Sequence, residues 1–215
     1  MPTHPARLFA VIPAAGFSRR MGQPKLLLPL GGKTVIARLL EALALPENVA
    51  TAVVMRRDDA ALREEVARYG GWPVSPDVDP PDMRTSVEFG LQSVSERFSP
   101  HATDAWLMLP ADHPVLDRAV LSELIAVWRR DRPRFLVPTY HGRRGHPLIA
   151  RWDAVPLIQA LPADQGLNRL LRDHADEVVS VPVENPGVLT DLDSPEDYER
   201  LRGMFPDGDI PTKSC

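Results

Sequence analysis

Leu8-Phe9-Ala10-Val11-Ile12-Pro13 runs directly into Ala14-Ala15-Gly16-Phe17-Ser18-Arg19-Arg20-Met21-Gly22-Gln23-Pro24-Lys25, and the join between these two stretches decides the fold. The first has the length and apolar content of a buried strand, and the second is a loop with three cations and no acid. A buried strand that opens into such a loop brings backbone N–H groups to the carboxyl edge of an α/β sheet, where ligands bind. Small residues let those N–H groups approach a polyanion closely, and Arg19, Arg20 and Lys25 supply charge-assisted contacts to phosphate oxygens. Two better-known phosphate signatures fail on spacing. Ser18 stands where a dinucleotide G-x-G-x-x-G needs its second glycine, and Gly32-Lys33-Thr34 ends like a Walker loop but has Leu27 where the first glycine belongs. A triphosphate loop and an ordinary solvated basic turn both fit these residues.

Outward from this join, short apolar runs alternate with amphipathic stretches, the pattern of an α/β fold with a mainly parallel sheet. Strands are expected at Val49 to Met55, Trp72 to Val74, Ala105 to Leu109, Phe135 to Tyr140, His146 to Ile149 and Val178 to Val183. The turn Gly142-Arg143-Arg144-Gly145 makes an antiparallel hairpin of two of them. Helices are expected after Thr34, from Asp58 to Tyr69, from Met83 to Phe98, from Asp117 to Arg130, as two short pieces between Ala154 and His174, and after Ser194, whose Pro195-Glu196-Asp197 suits a helix start. No linker composition divides the chain, so one domain over residues 1–205 and a frayed tail at 206–215 are expected.

The 215 residues are 44% hydrophobic and 25% charged, enough to bury one core of this size. A formal charge of −4 argues against a protein that coats nucleic acid or an anionic membrane. Its distribution is uneven: six basic residues and no acid lie up to Leu40, leaving 19 basic against 29 acidic beyond. The single cysteine, Cys215, allows neither an internal disulfide nor a thiolate zinc site, and no run of about 18 apolar residues suggests a membrane span. A cytoplasmic protein is expected.

Two acidic segments are the other candidates for chemistry. Trp106-Leu107-Met108-Leu109-Pro110-Ala111-Asp112-His113-Pro114 delivers a carboxylate just past a strand, where a hard oxygen ligand suits Mg²⁺ carrying phosphates; a turn former fits the same aspartate. In Thr190-Asp191-Leu192-Asp193-Ser194-Pro195-Glu196-Asp197, alternation puts Asp191 and Asp193 on one side of an extended segment, although acids at a helix start also fit.

The run from Ala14-Ala15-Gly16 through Ser18, Arg20-Met21-Gly22 and Lys25-Leu26-Leu27-Leu28 closely resembles the N-terminal signature of the MobA-like nucleotidyltransferases, most of all the molybdenum cofactor cytidylyltransferases. Pro13 departs from that branch and resembles the cytidylyltransferases of isoprenoid synthesis. The resemblance implies a single-domain, Rossmann-like α/β nucleotidyltransferase fold. It also implies that Ala14, Ala15, Gly16, Ser18, Arg19, Arg20 and Lys25 wrap the triphosphate, with Arg20, Lys25 and Asp112 catalytic. Asp112 looks like the family's metal-binding aspartate, and Asp193, less directly Asp191, like its second metal contact. Arg84-Thr85-Ser86 resembles the helix start that contacts the nucleoside through Ser86, without the usual upstream glycine. Gly145-His146-Pro147 resembles an acceptor-side segment, giving His146. Asp164 aligns with a further acceptor motif in which Ala163 replaces a glycine and Asn168 an arginine.

The implied reaction is attack by an acceptor phosphate on the α-phosphorus of a nucleoside triphosphate, assisted by Mg²⁺. CTP is expected over GTP, and a molybdopterin-type acceptor over a sugar phosphate or another alcohol phosphate, with handover of the product to a molybdoenzyme. A nucleotide-sensing protein that keeps the fold without turnover is the rival from another class; the joint presence of Lys25, Asp112 and Asp193 argues against it.

Overall fold

The computed structural model describes residues 6–205; the tail expected at 206–215 lies outside them. In chain order the strands are β1 (Leu8–Pro13), β2 (Pro29–Leu30), β3 (Lys33–Thr34), β4 (Asn48–Val54), β5 (Trp72–Val74), β6 (Ala105–Met108), β7 (Phe135–Tyr140), β8 (Arg143–Arg144), β9 (Leu148–Arg151) and β10 (Val178–Pro182). The α-helices are α1 (Val35–Leu43), α2 (Ala60–Arg68), α3 (Met83–Phe98), α4 (Arg118–Asp131), α5 (Val155–Gln159), α6 (Leu167–Asp173) and α7 (Pro195–Met204).

β1 is buried from Leu8 to Ile12, as befits a strand covered on both faces, and it pairs in parallel with β4 on one side and β6 on the other. Its side chains alternate between two cores. Leu8, Ala10 and Ile12 pack with α1, α2, α4 and α7, whereas Phe9 and Val11 pack with α3, α5 and α6. The strand order is β10-β7-β9-β6-β1-β4-β5, with β8 on β7; β9 runs antiparallel between β6 and β7. This is the expected mixed, mainly parallel sheet flanked by helices.

The order also fixes where a ligand fits. From β1 the chain steps outward to β4 and β5, then returns through α3 to β6 on the far side of β1. The crevice beyond the carboxyl ends of β1 and β6 is therefore a topological switch point, the usual binding position in open α/β sheets.

The helix starts follow their caps. Thr34 accepts from Ala37 N, Asp82 from Thr85 N, Asp117 from Ala119 N, and Ser194 and Asp197 form a reciprocal capping box. Two local features differ from the sequence reading. Gly31 and Gly32, both at positive φ, turn β2 onto β3 in a small separate hairpin. The expected 135–149 hairpin pairs at its tip through β8, while β9 begins at Leu148 and runs to Arg151. Among the described residues no helix is long and apolar enough to cross a membrane.

Candidate active site

The basic loop leaves the sheet under tight control. Ala14 N donates to the β4 carbonyl of Val54 at 2.7 Å, and the Ser18 carbonyl accepts from Met21 N at 3.0 Å and Gly22 N at 3.1 Å. Ser18 itself sits at φ 49°, and its Oγ accepts from Lys25 N at 3.4 Å, closing the loop. Met21 is buried beneath, so the backbone is anchored while Gly16, Arg19 and Arg20 face outward. The exposed Phe17 ring carries two guanidinium groups, Arg56 at 4.4 Å and Arg19 at 5.4 Å from its centroid.

Lys25 follows Pro24 in a short 3-10 turn that aims its side chain across the crevice. Its Nζ donates to Asp112 Oδ2 at 2.7 Å, Asp193 Oδ1 at 2.9 Å and the Leu192 carbonyl at 2.8 Å. The acids reach it from different elements. β6 ends at Met108, and the Pro110–His113 turn carries Asp112 forward; Leu192 N then donates to the Asp112 carbonyl at 2.9 Å, which brings Asp193 alongside. Asp197 holds the Asp193 backbone N–H at 3.2 Å from inside the α7 capping box. Arg20 pairs with the second oxygen of Asp193 at 2.9 Å.

The charges in this cluster support one another. Burial pulls the Lys25 ammonium down, but the charges and hydrogen bonds of Asp112 and Asp193 together outweigh it and leave its pKa above the ordinary value. Burial likewise pushes Asp193 up, yet Lys25 and Arg20 hold it below the usual carboxylate range. A cleft of about 400 Å³ opens over the cluster between the Ala14–Arg20 loop, Asp112 and the start of α3. Ser86 lines it, buried, with its Oγ donating to the Asp82 carbonyl at 3.0 Å. Of the expected nucleotide and metal residues, Ala14, Ala15, Gly16, Ser18, Arg19, Arg20, Lys25, Ser86, Asp112 and Asp193 all line this one cleft. Asp191 does not; it is exposed.

His146 lies on the other side of Asp112. Its ring stands edge-on to His113 with centroids 4.7 Å apart, and His113 Nε2 is 3.9 Å from Asp112 Oδ1. Burial lowers both histidines; for His146, with the His113 charge adding to it, the pKa falls to about 4, so the ring is neutral at pH 7. Asp164 sits apart on an exposed turn before α6. Arg84 of α3 holds that turn by donating to the carbonyls of Leu161 at 2.9 Å and Pro162 at 2.7 Å. Phe17, Pro80, Pro81 and Met83, which also wall the cleft, and His113 beside Asp112 carry no spacing signature in the sequence.

The described residues contain no cluster of three or more His, Cys, Asp or Glu side chains able to hold a metal. The crevice does offer two hard carboxylates facing one cation, and that donor set fits a hard divalent ion completing its shell with phosphate oxygens and water.

A switch-point crevice built this way, on this sheet, is that of the Rossmann-like nucleotidyltransferases. Residues 10–178 match the MobA-like NTP transferase domain, and the chain belongs to that family. The purine catabolism protein PucB of Bacillus subtilis is 28% identical over 207 residues, covering 91% of this chain and 96% of PucB. A molybdenum cofactor guanylyltransferase of Rhodopseudomonas palustris is 29% identical, covering 92% and 93%. The solved structure of Rv0371c from Mycobacterium tuberculosis superposes with a TM-score of 0.78 at 26% identity, covering 92% of this chain and 99% of that one.

Proposed function

We propose that this protein transfers CMP from CTP to the phosphate of a molybdopterin-type acceptor and releases pyrophosphate. The observation that carries this reading is the convergence of Lys25 on Asp112 and Asp193 at the mouth of the basic loop. Asp112 and Asp193 would hold Mg²⁺, which neutralises charge on the α-phosphate. Lys25, a cation at neutral pH, meets phosphate oxygens from the same point, and Arg20 with the Ala15-Gly16 backbone takes the departing pyrophosphate. An acceptor phosphate oxygen forms its bond to the α-phosphorus as the bond from that phosphorus to the bridging oxygen breaks, and the electron pair leaves with pyrophosphate. Positioning and charge neutralisation suffice, so no side-chain nucleophile is needed. Ser86 belongs to the nucleoside side, His146 and the Asp164 turn to the acceptor side. The same reading makes the protein a cytoplasmic enzyme whose product passes to a molybdoenzyme.

CTP as donor rests on the Ala14-Ala15-Gly16 start and the Lys25-Leu26-Leu27-Leu28 run. The name of the Rhodopseudomonas palustris relative favours GTP instead. A sugar phosphate or other alcohol phosphate is the corresponding second reading for the acceptor. The test is a panel of four nucleoside triphosphates with Mg²⁺ against molybdopterin and several sugar phosphates, read as pyrophosphate release. CTP with molybdopterin should give the fastest release, and Asp112→Ala should abolish it while circular dichroism shows an intact fold. Nucleotide binding with no consumption under any pairing would instead identify a nucleotide sensor.

A further inference from the structure

Beyond His146, at the same edge of the sheet, lies a second recess of about 210 Å³. Its apolar floor comes from Met108 and Leu148, which are register partners on β6 and β9, and from Val137 of β7. Leu167 and Leu171 of α6 form a wall, and the polar groups at its mouth are Arg144, Asn168 and Arg172. No acid lines it. Arg144 is held there by its NH1, which donates to the Leu171 carbonyl at 3.4 Å. Asn168 and Arg172 lie four residues apart on α6 and so share a face. The neighbouring Arg169 is engaged by Asp173 at 2.7 Å, whereas Arg172 has no ion pair or hydrogen bond among the described residues. His146 also lines the recess, and its Nδ1 is buried with no hydrogen-bond partner among the described residues.

Two guanidinium groups without a carboxylate, over an apolar floor, recognise an anion carried on an apolar body. We propose that this recess is a second anion subsite for the acceptor, formed by Arg144 and Arg172. The proposal rests on the transferase reading. An acceptor would place its attacking phosphate at the Lys25 cluster and a second anionic group between these arginines, with the His113–His146 pair bridging the two ends. Arg172, one turn after Asn168 on the same face of α6, brings a second cation to the recess beside Arg144. The substrate class is therefore a phosphomonoester with a further anion at its far end, in contrast to a neutral sugar phosphate.

Inorganic phosphate is the probe, followed through the Nε–H resonances of Arg144 and Arg172, assigned with Arg144→Gln and Arg172→Gln. Both resonances should shift saturably, and removal of either arginine should weaken the phosphate affinity seen by the other about fivefold or more, with partial recovery in the Arg→Lys variants. Shifts that do not saturate, or that ignore the partner's removal, would overturn the proposal. In turnover with the active acceptor, the double Gln variant should raise the acceptor KM about tenfold while the CTP KM changes less than twofold; equal changes in both would also overturn it. If no triphosphate is consumed, the transferase reading fails, and the phosphate titration still decides whether the subsite exists.

Discussion

Lys25 and Asp112 meet across 87 residues of sequence, the lysine Nζ 2.7 Å from Asp112 Oδ2 with about a sixth of its own side chain open to solvent. The ammonium occupies the position between two carboxylates that a divalent ion would also favour, since Asp193 contacts it at 2.9 Å from the opposite wall. Without nucleotide, the proposed metal would therefore compete with the lysine for the same oxygens. Lys25→Met should tighten Mn²⁺ binding to the nucleotide-free protein, measured by electron paramagnetic resonance titration, yet lower kcat by about 10²–10³. Weaker Mn²⁺ binding in the variant would mean that the lysine organises the two acids more than it competes for them.

The pieces of this site were legible in sequence, but their meeting was not. β1 and α3 have the bounds that hydrophobic period and flanking residues imply, and the Thr34, Asp117 and Ser194 caps make the bonds their positions suggest, because strand length, helical period and capping are local. Asp112 and Asp193 each announced a carboxylate at an element boundary. That both close on Lys25 depends on β6 returning beside β1 and on the Leu192–Asp112 backbone bond, which are long-range facts. Alternation put Asp191 with Asp193, but its side chain is exposed and the segment pairs through Leu192 instead. Gly31-Gly32 carries a hairpin signal, obscured because Gly32-Lys33-Thr34 also mimics the end of a Walker loop. Arg144 and Arg172 belong to no spacing pattern, and only the tertiary fold brings them to one recess.

Gly145 makes the proposed acceptor side sensitive to a single methyl group. A Cβ there would lie 2.4 Å from the Val188 carbonyl oxygen, and the same carbonyl accepts from His146 N at 2.8 Å. Backbone cannot yield as a flexible side chain can, so Gly145→Ala must displace His146. The expected result is an acceptor KM raised about tenfold or more with the CTP KM nearly unchanged, from steady-state kinetics varying each substrate in turn. Equal effects on both would place His146 outside acceptor binding.

Acid should weaken the fold well before most carboxylates titrate. His146 is neutral when folded, with its pKa pushed down from 6.5 to about 4 chiefly by burial, then by the neighbouring His113 charge, against the opposing pull of Asp112. The unfolded chain binds the proton first, so stability is full above pH 6.5 and falls as pH drops toward 4, by at most about 3 kcal/mol from this residue. Urea melts at pH 7.5, 6 and 5 should show the decline, and His146→Gln should shrink it. His113, also lowered by burial, accounts for part of what remains. An unchanged slope in the variant would assign the whole effect elsewhere.

The last acid-sensitive link lies at the opposite edge of the sheet. Asp104, 2% exposed just before β6, accepts from Arg7 N at 2.9 Å, Arg7 Nε at 3.0 Å, Arg7 NH2 at 2.7 Å and His101 N at 2.8 Å. Arg7 also donates to the Phe98 carbonyl at 3.1 Å, so one pair ties the start of β1 to the start of β6 and the end of α3. Burial alone would raise the Asp104 carboxyl, but the Arg7 bonds and charge and the two backbone donors together hold it below its ordinary 3.8. Its stabilisation is therefore present above that value and lost as pH falls through the lower folded one. Asp104→Asn should cost about 3 kcal/mol at pH 7 by leaving the guanidinium without its counter-charge, a Tm loss of roughly 6–12 °C by calorimetry. The variant's stability should also change less than that of the parent below pH 3.8, while kcat stays within about twofold at a temperature where both are folded, because the proposed catalytic cleft lies beyond the other ends of these strands. A large loss of kcat in folded Asp104→Asn would show instead that this end of β6 sets the position of Asp112.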